Sequence, residues 1–185
     1  MNKFREVFEP LNIKQDIYDV FADTDVERIV MNKGQKLMRI YLVMERLIQK
    51  HYLYDMENQL ARNLFQDKET KVKICETYRL PEQYTISYIL EHYYESMLLE
   101  LSQENKILHT LVKHSDPAVT EENVLTLQFP DTMVAKNMEQ ELRDYLELVF
   151  DKRFHRPVQI HIDFVKQKES RYRKEQELRA ERILQ

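Results

Sequence analysis

Glycine is almost missing: Gly34 is the only one in 185 residues. Loops that cradle phosphate through successive backbone amides need several glycines close together, so Walker, Rossmann and kinase-type loops are excluded. The paired-glycine loop with which KH modules clamp a nucleic-acid backbone is excluded too. Cysteine is as scarce. Cys75 stands alone, which forbids an intrachain disulfide and agrees with a reducing, cytoplasmic setting. No apolar run approaches the roughly 20 residues that cross a bilayer. The N-terminal MNKFREVFEP carries charge where a signal peptide would be apolar, so neither membrane insertion nor export is expected.

What remains suits packed structure. Hydrophobic residues make up 43% and charged residues 32% of the chain, enough apolar surface for a core. The length accommodates two small domains of roughly 80 to 100 residues each. The formal net charge is -4, unevenly spread. Residues 1–80 nearly balance, with 14 Lys/Arg against 13 Asp/Glu. Residues 81–147 are acidic, 4 against 13, and residues 152–182 are basic, 10 against 5.

The periodicity predicts α+β structure throughout. FREVFEPL and IKQDIYDVFA place apolar residues at helical separations, and VERIVMN and KLMRIYLVM flank NKGQ as a β-hairpin, with Gly34 expected to supply a positive φ. Leu53, Met56, Leu60 and Leu64 mark a helix, and KVKICETY puts Val72, Ile74, Glu76 and Tyr78 on one face of a strand. The first unit reads α-β-β-α-β and ends at Pro81. A broad stripe from Ile86 to Leu101, continued by Ile107 to Val112, predicts one long helix or two packed ones meeting near Asn105. The loop HSDPAVTEEN then leads to the strand VLTLQF. Asp131 or Thr132 caps a helix of about five turns through Val149, and PVQIHIDFV forms a last strand. The charged stretch 168–185 reads as a helical tail that stops at ERILQ without a terminating residue, so the polypeptide is expected to continue beyond Gln185.

Candidate sites are few. Asp23, Asp25 and Glu27 read as an exposed turn, the six histidines fall in no zinc-ligand spacing and Cys75 has no cysteine partner, so no metal, cofactor, catalytic residue or small-molecule substrate is assigned. Tyr41, Tyr52 and Tyr54, expected to be exposed near the end of the hairpin, are candidates for contact with a partner protein. Lys152, Arg153, Arg156, Lys166 and Lys168 are the candidate nucleic-acid contacts, because lysine and arginine neutralise phosphate. The same charges at a helix end also complement its dipole. The mixed-sign tail has the i,i+4 pairing of a solvated helix.

The stretches FREVFEPLNI, ERIVMNKGQKLMRIYLVMERLI, SYILEHYYESMLLELSQENKILHTLV and NVLTLQFPDTMVAKNMEQELRDYLELVFDKRFHRPVQIHID, in this order, resemble the N-terminal region of PolC-type bacterial DNA polymerase III alpha subunits. The resemblance spans nearly the whole chain and is one of pattern and order, without catalytic motifs. It implies an NI domain at residues 1–80 and an NII domain at 81–167, both broadly KH-like without the glycine loop. NI would resemble the polymerase-binding domain of the clamp-loader tau subunit and bind a replisome protein such as tau. NII would contribute contacts to DNA. The polymerase and 3'-5' exonuclease modules of that family have no counterpart in this sequence.

Two other classes compete. A free-standing nucleic-acid-binding protein requires the chain to end naturally at Gln185. A small enzyme requires a deep pocket lined by titratable groups of shifted pKa.

Overall fold

The computed structural model describes residues 1–8, 11–121 and 123–166; the predicted tail at 168–185 lies outside them. Alternating and helical apolar spacings produce an α+β architecture with two small sheets. In the first unit, β1 (Asn2–Lys3), α1 (Phe4–Val7), α2 (Gln15–Phe21), β2 (Asp25–Asn32), β3 (Leu37–Met44), α3 (Lys50–Leu64) and β4 (Lys71–Tyr78) follow one another, and the strands lie in the order β1-β2-β3-β4. The hairpin β2–β3 is antiparallel, and α3 is the crossover that lets β4 run parallel to β3. Ile40, Leu42, Val72 and Ile74 turn to the side that α3 covers with Leu53, Met56 and Leu60, all buried.

The β2–β3 turn departs from expectation. Gly34 does not adopt a positive φ; Lys36 does, at 48°. Asn32 explains how the turn manages: its side-chain oxygen accepts the Gln35 amide at 3.0 Å, and its amide nitrogen donates to Gln35 Oε1 at 3.0 Å. This is a side-chain-closed turn of the kind asparagine favours.

The second unit begins with α4 (Ile86–Glu104) and α5 (Lys106–Lys113). The expected bend at Asn105 is present as two helices, because the Asn105 side chain accepts the amides of Ile107 and Leu108 and starts a new helix. Strands β5 (Ala118–Glu121), β6 (Val124–Pro130) and β7 (Gln159–Val165) form a sheet in that order, with β6 and β7 parallel. Strand β5 lies inside the segment predicted to be a loop; its short, exposed stretch carries no apolar alternation to reveal it. Between β6 and β7, the predicted single helix is broken. Thr132 caps α6 (Met133–Asn137), α7 (Glu139–Glu147) restarts after Met138, and residues Leu148–Arg153 close as a π-helical turn.

The two sheets are separate, but the buried apolar side chains form one continuous cluster from Phe4 to Phe154. At the seam, the rings of Tyr78 from β4 and Phe154 stack at 4.6 Å, and Tyr93 from α4 meets Phe154 edge-on at 5.0 Å. All three side chains are fully buried. A shared core predicts shared unfolding. Phe154→Ala should cost about 3 to 5 kcal/mol, and urea unfolding followed by far-UV circular dichroism and by tyrosine fluorescence should give coincident midpoints that fall together. Separate transitions for the two units would show that the seam does not couple them.

Candidate functional site

The predicted basic segment is divided by its surroundings. Lys152 is exposed and already compensated, with Asp151 at 2.7 Å and Glu147 at 3.8 Å. Arg156 donates to the carbonyls of Leu80 at 3.0 Å and Pro81 at 3.2 Å, tying the end of the first unit to the loop before β7. Lys166 is exposed at the end of β7, and Lys168 lies outside the described residues.

Arg153, named from the sequence as a candidate nucleic-acid contact and so expected at the surface, is corrected to a buried residue. Its side chain is 7% exposed, with the guanidinium 3.1 Å from Glu76 and 2.9 Å from Glu100. Lys50, also buried, lies 2.5 Å from Glu76 and 2.8 Å from Glu100. Two cations and two carboxylates from α3, β4, α4 and the π turn thus form a closed, neutral cluster. Tyr93 donates to Glu76 at 3.2 Å and Tyr145 to Glu100 at 3.1 Å. Burial alone would raise the Glu100 carboxyl, but Arg153 and Lys50 override it and hold it down to about 2. The signal for this cluster was in the sequence: Arg153 follows Val149 and Phe150 at helical spacing, and Glu76 sits on the apolar face of its strand.

The three candidate tyrosines are half-buried and do not share a surface. Tyr52 packs against the core from α3. Tyr54, on the same helix, lies near Glu100 and Glu104, and burial and these carboxylates raise its phenol pKa. Tyr41 points the other way, to the side of the first sheet opposite α3, with the Arg28 guanidinium 4.0 Å over its ring. A bulge between Val26 and Arg28 rephases β2 so that Arg28 stands beside Tyr41. The register puts Arg39 next to Val30 and Lys73, and Cys75 next to Tyr41, on this same outer side.

Other polar groups have structural partners. Asp23 pairs with Arg5 at 3.1 Å and Asp25 with Lys3 at 2.9 Å. Among the described residues no three His, Cys, Asp or Glu side chains converge as metal ligands. A cleft of about 580 Å³ runs between α3 and residues 12–17, but its amides are in use: Gln59 accepts from the Lys14 backbone and Asn63 from that of Asn12.

Glu57 is the titratable group most open to test. Its carboxylate accepts the Ile74 amide at 2.7 Å on the free edge of β4, and burial pushes its pKa up to about 7. Between its ordinary value near 4.5 and about 7 the folded state holds a proton that the unfolded state has released, so stability falls as pH rises through this window. Glu57→Gln keeps the acceptor and removes the ionisation. Urea unfolding should show parent and variant alike near pH 4.5, and the variant ahead by on the order of 2 kcal/mol at pH 8.

Arg153→Ala, which leaves two buried carboxylates facing Lys50 alone, should lose about 3 to 5 kcal/mol in the same assay. Lys152→Ala should leave the midpoint where it was, since Lys152 is solvated.

No curated protein and no solved structure matches the chain. Residues 3–74, from β1 to the middle of β4, match the family described as DNA polymerase III polC-type N-terminus I.

Proposed function

We propose that the chain is a non-catalytic docking module of a PolC-type replicative DNA polymerase, whose first unit holds a further protein of the replication machinery. The family match at residues 3–74 carries this reading. The clamp-loader tau subunit is the partner to which the sequence resemblance points. The near balance of charge in residues 1–80, 14 Lys/Arg against 13 Asp/Glu, favours a protein over a polyanionic duplex as the main ligand of this unit. Polymerase and exonuclease chemistry uses carboxylates converging on two metal ions about 4 Å apart, and the acidic side chains of the described residues are paired with cations or dispersed.

DNA contact by the second unit is a subordinate part of the reading. With Arg153 buried and Arg156 holding backbone carbonyls, Lys166, and Lys152 once it exchanges Asp151 and Glu147 for phosphate, are the described members of the basic segment that reach DNA. Two contacts would give a slope of log affinity against log salt of about -1.4 to -1.8.

The test is capture of purified tau subunit by the immobilised chain, followed by surface plasmon resonance, with primer extension and strand degradation assayed alongside in magnesium and in manganese. Binding of tau with neither activity is expected. Failure to bind tau, or turnover that a point substitution within the chain abolishes, would overturn the reading. Fluorescence anisotropy of a labelled duplex across a salt series measures the slope separately.

A further inference from the structure

We infer that the outer side of the first sheet is a docking face for an acidic amphipathic helix of another protein; the inference rests on the docking-module reading and names the chemistry of its partner. Three strands, β2 to β4, present this side, and no described helix packs on it. Two interstrand spacings make a strip about 10 Å wide, the width of an α-helix with its side chains. Leu37 and Tyr41, both part-exposed, and Val30 of β2 beside Arg39 make the apolar part of this side, since odd-numbered residues of β3 face outward while Ile40, Leu42 and Met44 face the core; Val43, on the same side, is buried and marks the closed end.

Cations border this apolar part on both sides. Arg28 stands on β2, Lys71 and Lys73 stand on β4, and Arg39 interrupts the apolar part itself. Carboxylates border this side too, with Glu27 in the β2 bulge beside Arg28 and Glu69 paired with Lys36. Asp25, at one end, is held by Lys3 at 2.9 Å, and Glu104 approaches Lys73 only at 3.5 Å from the end of α4. An apolar stripe flanked by Arg28 on one side and by Lys71 and Lys73 on the other complements a helix whose apolar stripe is flanked by glutamate or aspartate.

Single-stranded nucleic acid fits less well. Among the described residues Tyr41 is the one aromatic ring on this side, and the Arg28 guanidinium already covers a face of it at 4.0 Å, so the described residues give successive bases no platform on which to stack.

Cys75, the only cysteine, lies beside Tyr41 in the register and reports on occupancy. The probe is a synthetic 20-residue helix with leucine on one face and glutamate on the other, compared with the same peptide carrying lysine for glutamate and with a 20-nucleotide oligothymidylate. The rate of maleimide labelling at Cys75 in the 185-residue chain is the readout. Saturating acidic peptide should slow labelling at least fivefold, 0.5 M salt should abolish the protection, and the basic peptide should give none. Arg39→Glu combined with Lys71→Glu should remove the protection while the unfolding midpoint stays within error of the parent.

Equal protection by both peptides, or none by the acidic one, would overturn the inference. Stronger protection by oligothymidylate would replace the partner with nucleic acid, and labelling that slows with protein concentration alone, together with dimers in sedimentation, would replace it with a second copy. The tau experiment separates this inference from the reading beneath it. If parent and double variant capture tau equally, the docking face is wrong and the module reading stands. If the parent captures no tau, the module reading falls whatever the peptides do.

Discussion

The structure depends on one buried arrangement of charge. Lys50, Glu76, Glu100 and Arg153 alternate in sign around a closed cluster inside the seam between the two sheets. Withdrawing four charges from water is costly, and the cost is offset only when each has good partners. Tyr93 and Tyr145 complete those partners, and no buried side-chain nitrogen or oxygen among the described residues lacks one. The cluster therefore acts less as a source of stability than as a condition on geometry. α3, β4, α4 and the π turn must reach their final positions together, because any one of them out of place leaves an uncompensated charge in an apolar interior. The aromatic contact of Tyr78, Tyr93 and Phe154 beside it adds the apolar part of the same seam.

How much of this was legible depended on whether neighbours in sequence were neighbours in space. The hairpin, α3, β4 and the Asn105 junction follow from period and capping, which are local properties. The Gly34 expectation failed because Asn32 closes the turn through its side chain and moves the positive φ to Lys36. Strand β5 was invisible because its exposed residues have no buried face to alternate against. Arg153 was misread for a different reason: a charged side chain next to Lys152 and Arg156 suggests a surface patch, and its carboxylate partners lie 77 and 53 positions away in sequence. The helical spacing from Val149 and Phe150 did point inward, but only the presence of two buried glutamates makes that direction tolerable.

The candidate surfaces divided on the same principle. Tyr41, Tyr52 and Tyr54 are close in sequence, yet strand alternation sends Tyr41 to one side of the sheet and the crossover helix carries the other two to the opposite side. The cations of the first unit, dispersed through the sequence at Arg28, Arg39, Lys71 and Lys73, are instead gathered by the register onto one side. Residues 3–74, the segment that matches the polC-type N-terminus I family, contain all four.

Glu57 has one more effect, at the border of the first sheet. A parallel edge strand offers a row of unused amides to any extended chain that approaches, and at Ile74 that invitation is closed by the carboxylate. Arg143 does the converse at the border of the second sheet, where its guanidinium donates to the Ile160 carbonyl at 2.9 Å. One stopper takes a donor and the other takes an acceptor, so each of these two edges is filled at one position. At either position an added strand has to displace a side chain before it can pair.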